Sequence, residues 1–114
     1  MYFYLSKTDS MVLYNVTVSI EADIEAEWLD WMKTVHIPDV LKKGLFIRCV
    51  FSKIQGMEAQ ETSYSLLYFC DSQAQLTAYL ENQAPLLQQE HTLRFKDKFV
   101  AFRTVLQVID TLEP

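Results

Sequence analysis

Glycine and proline are scarce in this sequence, which has 2 glycines and 3 prolines in 114 residues. Flexible linkers and low-complexity segments are usually rich in these residues, so their scarcity argues against a linker that divides the chain. With 50% hydrophobic and 22% charged residues, the composition is typical of a folded globular protein. We therefore predict a single α+β domain over residues 11–114. Residues 1–10, which precede a strong strand pattern, are predicted to be an N-terminal extension that is poorly ordered unless a partner chain holds it.

Basic clusters and export signals are also lacking. The net charge is -5, and no run of lysine or arginine is longer than Lys42-Lys43, so nucleic acid is excluded as a partner. The first ten residues have neither the basic leader nor the apolar run of a signal peptide. We predict a cytoplasmic protein without a membrane partner.

The two cysteines, Cys49 and Cys70, lie far apart and do not form a CxxC motif. Each falls inside an apolar run, which indicates a buried thiol in a reducing compartment. No cluster of Cys, His, Asp and Glu has the spacing of metal ligands. We predict neither a metal nor a cofactor.

Hydrophobic periodicity predicts four strands, over residues 12–20, 45–54, 62–70 and 98–109. In the first strand an apolar face alternates with a mixed one that carries Leu13, Asn15, Thr17 and Ser19. The apolar face is expected to meet helices. Tyr64 and Tyr68 of the third strand are assigned to the core.

Two helical segments separate these strands. In the first, Asp23 is predicted as the N-cap, the helix runs to about Val35, and Pro38 breaks or kinks it. Trp28 and Trp31 lie on one face of this helix, which indicates a role in the core rather than in chemistry. The second segment begins with a capping box at Ser72. It is predicted to break near residue 82, with Pro85 starting a new turn.

The order β-α-β-β-α-β predicts a ferredoxin-like fold, a four-stranded antiparallel sheet with two helices on one face. Its other face would expose apolar side chains, including Leu13 and Phe69. Packing of that face against a second copy is the usual solution, so we predict a homodimer through the open sheet face.

Several segments together resemble an uncharacterised bacterial family of domains of unknown function, and the similarity spans nearly all of residues 11–109. The segments that carry it are residues 14–18, 27–32, 36–40, 89–91 and 98–104. More distantly, the sequence resembles the dimeric α+β barrel superfamily. Its members include cofactor-free monooxygenases, lactone isomerases, haem-degrading enzymes and proteins without known activity. His36-Ile37-Pro38 is also similar to the His-x-Pro of the ethyl tert-butyl ether degradation and YCII-like families.

His36 is the main candidate for a catalytic residue, because a histidine of near-neutral pKa at a helix end beside an open sheet face can act as a general base. Alternatively, it hydrogen-bonds the free carbonyls at the end of the first helix. His91 is not predicted to join it. The two helices are expected to run antiparallel, which would place their C-terminal ends at opposite ends of the sheet.

Three further residues, Asn15, Arg48 and Arg103, are candidates for ligand binding. Arg103 lies in an aromatic-rich strand, where it would bind a substrate carboxylate or pair with an acidic residue across the dimer. Asn15 and Arg48 would line a cavity or lie at the edge of a sheet, depending on the register.

Two functions remain open from the sequence. The first is a homodimeric binding or structural module, since no nucleophile, base and orienting group form a recognisable set. The second is a cofactor-free monooxygenase or isomerase that acts on a small apolar molecule between the sheet and the helices, with His36 as base.

Overall fold

A computed structural model describes residues 11–56 and 61–114, so the predicted N-terminal extension lies outside the described residues. The strands are β1 (Val12–Glu21), β2 (Arg48–Lys53), β3 (Glu61–Cys70) and β4 (Phe99–Gln107). They form an antiparallel sheet in the order β2-β3-β1-β4. This is the predicted ferredoxin-like topology, and the predicted fold class is confirmed.

The helices are α1 (Glu25–Trp31), α2 (Ile37–Lys42), α3 (Gln73–Asn82) and α4 (Ala84–Arg94). None of those formed by the described residues is long and apolar enough to cross a membrane.

The core lies between the helices and one face of the sheet. Val12, Tyr14, Val18 and Ile20 of β1 are buried, so the predicted apolar face of this strand does meet the helices. The other buried side chains come mainly from β3 and from the helices, and include Trp28, Met32, Tyr64, Leu66, Tyr68, Leu76, Tyr79 and Leu87. The core roles predicted for Trp28, Tyr64 and Tyr68 are confirmed.

The first helical segment differs from its prediction at both ends. Asp23 does not cap a helix: it lies in a 3₁₀ turn, and its carboxylate is 3.0 Å from the Lys98 ammonium. A kink or break was predicted at Pro38, but the chain instead widens into a π-helical turn (Met32–His36) and continues as α2. Because proline clashes with the carbonyl four residues earlier in an α-helix, the wider turn removes a conflict that would otherwise end the helix.

Strand β2 is shorter than the predicted residues 45–54. Phe46 is buried, with its ring 4.9 Å from Tyr68 and 4.8 Å from Tyr79, whereas the next residue, Ile47, is exposed. Strand alternation would place Phe46 on the same side as Arg48 and Val50, which are exposed. Because Phe46 instead packs into the core, the regular strand begins only at Arg48.

The predicted helix start at Ser72 and the break near residue 82 are confirmed. The Ser72 hydroxyl accepts a hydrogen bond from the Gln75 N–H at 3.2 Å, and Pro85 lies in the first turn of α4.

Both cysteines are free thiols: Cys70 is buried and Cys49 half-buried. Their predicted location in a reducing compartment stays a prediction.

The open face of the sheet carries apolar side chains around a polar centre. In that centre, Asn15 accepts a hydrogen bond from Ser65 at 2.5 Å and donates one to Thr17 at 2.9 Å. Exposed apolar residues on this face are Val50, Val100, Phe102 and Leu106.

Candidate functional site

A cavity lies between the sheet and the helices, beside the core. The cavity has a volume of about 50 Å³, several times the roughly 10–15 Å³ that one water needs. Its lining comes from β1, the π-helical turn, β3, α3, α4 and β4. The lining residues are Tyr14, Val16, Val18, Met32, His36, Leu66, Tyr68, Tyr79, Leu87, Gln88, His91, Thr92, Phe99, Ala101 and Arg103.

The π-helical turn places His36 on the cavity wall, where its ring stacks on Trp31 with centroids 5.4 Å apart. Its Nδ1 is buried and has no hydrogen-bond partner among the described residues. Because the helix continues into α2, His36 is not at a helix end. The alternative in which this histidine bonds free carbonyls at the end of a helix is therefore wrong.

His91 of α4 lies against His36, and the two ring centroids are 5.8 Å apart. The expectation that topology separates these histidines is wrong, because His36 occupies the middle of a longer helical segment rather than its C-terminus. The Trp28 indole N–H donates a 2.9 Å hydrogen bond to Nε2 of His91. Phe99 meets the same ring edge-on at 4.4 Å. Trp28 and Phe99 thus fix the orientation of the His91 imidazole.

Both histidines are neutral at physiological pH. Burial lowers the pKa of His36 to about 4, and the Arg103 guanidinium acts in the same direction, against the opposing effect of Asp39. The pKa of His91 is also lowered to about 4, chiefly by burial, with contributions from His36 and Arg103. A neutral imidazole has one nitrogen that accepts a hydrogen bond or a proton.

Arg103 extends from β4 on the helix side of the sheet, since it pairs with Val16 in the register. It lies beside the hydroxyl of Tyr14. Burial raises the pKa of Tyr14, and Arg103 and, to a smaller extent, Gln88 partly oppose this rise. Burial also raises the pKa of Tyr79, again with Arg103 opposing. The tyrosine hydroxyls are therefore protonated donors at neutral pH.

The structure brings together only part of the predicted site. His36 and Arg103 both line the cavity, whereas Asn15 and Arg48 do not. Asn15 belongs to the polar centre of the open face, and the Arg48 guanidinium lies 4.3 Å from the centre of the Phe69 ring on that face. The sheet thus separates these two residues from the cavity, and their predicted role in binding stays a prediction.

No group of three or more His, Cys, Asp or Glu side chains in residues 11–56 and 61–114 is arranged to hold a metal ion. The absence of a metal and of a cofactor stays a prediction.

The main site residue that was not predicted from the sequence is His91. A sequence feature did place it inward: it follows Leu87 by four residues, and helical residues with this spacing share a face. The cavity roles of Gln88 and Thr92 have no comparable sequence feature, because polar residues on a helix are usually exposed.

Comparison with solved structures identifies proteins of the same fold at low sequence identity. A dimeric ferredoxin-like protein from an uncultured marine organism is 16% identical, with a TM-score of 0.65, over 90% of this chain and 99% of that one. A Bacillus cereus protein, whose name assigns it provisionally to antibiotic biosynthesis monooxygenases, is 12% identical, with a TM-score of 0.64, over 92% and 99% of the two chains. An ethyl tert-butyl ether degradation family protein from Bacillus halodurans is 9% identical, with a TM-score of 0.61, over 82% and 96%.

These neighbours confirm that the fold is that of the dimeric ferredoxin-like proteins. Among curated proteins, none is significantly similar to this sequence. The predicted family resemblance is confirmed by a family model that matches residues 11–109. The chain therefore belongs to the family of that model, the domain of unknown function DUF4286.

Proposed function

We propose that this protein is a homodimeric module that binds a small, largely apolar molecule in the cavity between the sheet and the helices. The observation that carries the proposal is the cavity itself, where apolar and aromatic side chains share the wall with polar groups, including His36, His91 and Arg103. Ligand sites typically combine these features.

A variant that fills the cavity tests this proposal. Ala101 is half-buried on the cavity wall, so Ala101→Leu should remove the binding of small molecules that stabilise the wild type in a thermal-shift screen. Ala74→Leu, at an exposed position of α3, makes the same chemical change away from the cavity and should leave binding intact. Equal binding by the wild type and Ala101→Leu would contradict the proposal.

A second function is favoured by the state of His36. This histidine lines the cavity, and its buried Nδ1 has no partner among the described residues, so it can take a proton from an acidic C–H or O–H of a bound molecule. Burial lowers its pKa to about 4 and makes it a weaker base than a free imidazole. Proton removal of this kind can begin an oxidation or an isomerisation that needs no cofactor. In this alternative the protein is a cofactor-free monooxygenase or isomerase, and His36 is its general base.

Hydrogen exchange in a bound ligand separates the two functions. In D2O, an enzyme of this kind should exchange the acidic C–H of a ligand found in the screen, and His36→Gln should abolish the exchange while binding persists. A ligand that binds without exchange, or exchanges equally with the variant, supports the binding module instead.

The proposed dimer forms through the open face of the sheet. Its support is the set of exposed apolar residues on that face and the dimeric ferredoxin-like proteins with the same fold. The cavity lies on the opposite side of the sheet, so a dimer of this kind leaves the ligand site accessible.

A further inference from the structure

The described residues that line the cavity carry a positive charge and no negative charge. Among the described residues that line it, Arg103 is the only one with a full charge at neutral pH, because both histidines are neutral and no Asp or Glu contributes. The other polar groups are hydroxyls and an amide, which donate hydrogen bonds readily. The lining therefore has an excess of positive charge and of donors.

Arg103 has no acidic partner among the residues that the structure describes. The ion pairs formed among residues 11–56 and 61–114 involve Lys53, Arg94 and Lys98, and none includes Arg103. The influence of its guanidinium nevertheless reaches Tyr14, His36, Tyr79 and His91 around the cavity. An arginine in this situation gains more from a ligand anion than one already paired with a carboxylate.

The rest of the wall is apolar. Val16 lies opposite Arg103 in the strand register, and Val18, Leu66, Leu87 and Phe99 extend the apolar surface. This surface suits a hydrocarbon body, while the planar guanidinium suits a carboxylate, which it binds through two parallel hydrogen bonds.

From this arrangement we infer that the ligand of the cavity is a small organic monocarboxylate, whose carboxylate binds Arg103 and whose hydrocarbon part lies against Val16, Leu66 and Phe99. This inference rests on the proposed function, to which it adds the chemical class of the ligand. It also favours carboxylate binding over pairing across the dimer as the role of Arg103. Arg103 is on the side of the sheet away from the proposed dimer face.

Matched pairs of acids and amides test the inference, because they differ in charge but hardly in shape. The probes are propionate and propionamide, benzoate and benzamide, and phenylacetate and phenylacetamide, each titrated by calorimetry at pH 7. At least one acid should bind about tenfold or more tightly than its amide, the expected size of one charge-assisted interaction. Arg103→Gln should remove this preference.

Two variants serve as controls. Arg94→Gln removes a guanidinium on the outer surface of α4, where it pairs with Glu27 at 3.5 Å, and should keep the preference for the acid. Arg103→Lys keeps the charge without the planar fork and should retain part of the preference. Light scattering of Arg103→Gln should show the same mass as the wild type. A dissociated variant would instead support the pairing of Arg103 across the dimer and overturn the inference.

Equal affinity for acids and amides, or a preference that survives Arg103→Gln, would also overturn the inference. So would a failure of every acid to bind. In each of these cases the proposed function is judged separately, by whether Ala101→Leu removes the binding of neutral molecules. If neutral molecules bind the wild type but not this variant, the cavity is a ligand site of another chemical class.

Discussion

At the scale of single residues, Trp28 connects the core to the candidate site. Its side chain is fully buried and its indole N–H is bonded to His91. Trp28→Ala should lower the free energy of unfolding by about 3–5 kcal/mol, because it leaves a large cavity and an unpaired imidazole nitrogen. Trp31 is only half-buried, so Trp31→Ala should cost less. Denaturant melts of both variants measure the difference, and a loss below about 1 kcal/mol for Trp28→Ala would contradict the assigned packing.

The two histidines make stability depend on pH. Each has a pKa of about 4 in the folded protein and near 6.5 when unfolded, so below pH 6.5 the unfolded chain binds more protons. Their contribution is therefore fully present above about pH 6.5 and is lost as the pH falls towards about 4. The loss is on the order of 3 kcal/mol per histidine at most.

Urea melts across this pH range test the prediction. His36→Gln, which cannot bind a proton, should be less sensitive to acid than the wild type between about pH 6.5 and pH 4. If both proteins lose stability in parallel, His36 is not buried in its neutral form.

At the scale of secondary-structure elements, Ser72 determines where α3 begins. Its hydroxyl accepts the N–H of Gln75, one of the helix donors that would otherwise lack a partner. Ser72→Ala should therefore cost about 1 kcal/mol, measured by thermal or urea unfolding. Thr77→Ala, at an exposed position of the same helix, serves as a control and should change the stability by less than about 0.5 kcal/mol. Equal effects would show that the cap is not important for stability.

Elements whose pattern is local could be predicted from the sequence. The alternation of β1 and the cap at Ser72 depend on neighbouring residues, and both are found in the structure. The start of β2 could not be predicted, because Phe46 leaves the strand alternation to pack against rings of β3 and α3. Local β propensity contains no information about those distant contacts.

The candidate site was predictable only in part for the same reason. His36 and Arg103 have side chains suited to chemistry and were identified, but their common cavity depends on the sheet register and on the path of the helix. The contact between His36 and His91 depends on a π-helical turn that accommodates Pro38. A proline in a helical pattern usually predicts a break, so the sequence favoured the wrong geometry.

At the scale of the whole molecule, the open sheet face predicts the oligomeric state. Light scattering at micromolar concentration should return twice the 13.3 kDa mass of the chain. Phe102→Glu, which places a charge on a side chain that is 63% exposed on this face, should give the mass of a monomer. Leu86→Glu makes a similar change at a 70% exposed residue of α4 and should leave the dimer intact. A wild-type protein with the mass of one chain would rule out this dimer.

The alternation of β1 places two surfaces on one strand. Tyr14, Val16 and Val18 line the cavity, while Asn15 and Thr17, between them, lie on the open face. A one-residue insertion or deletion inside β1 would turn every later side chain to the opposite side, so it would disrupt both surfaces at once. Evolution can alter either surface separately only by substitution, and the length of β1 should therefore vary much less among relatives than its residues do.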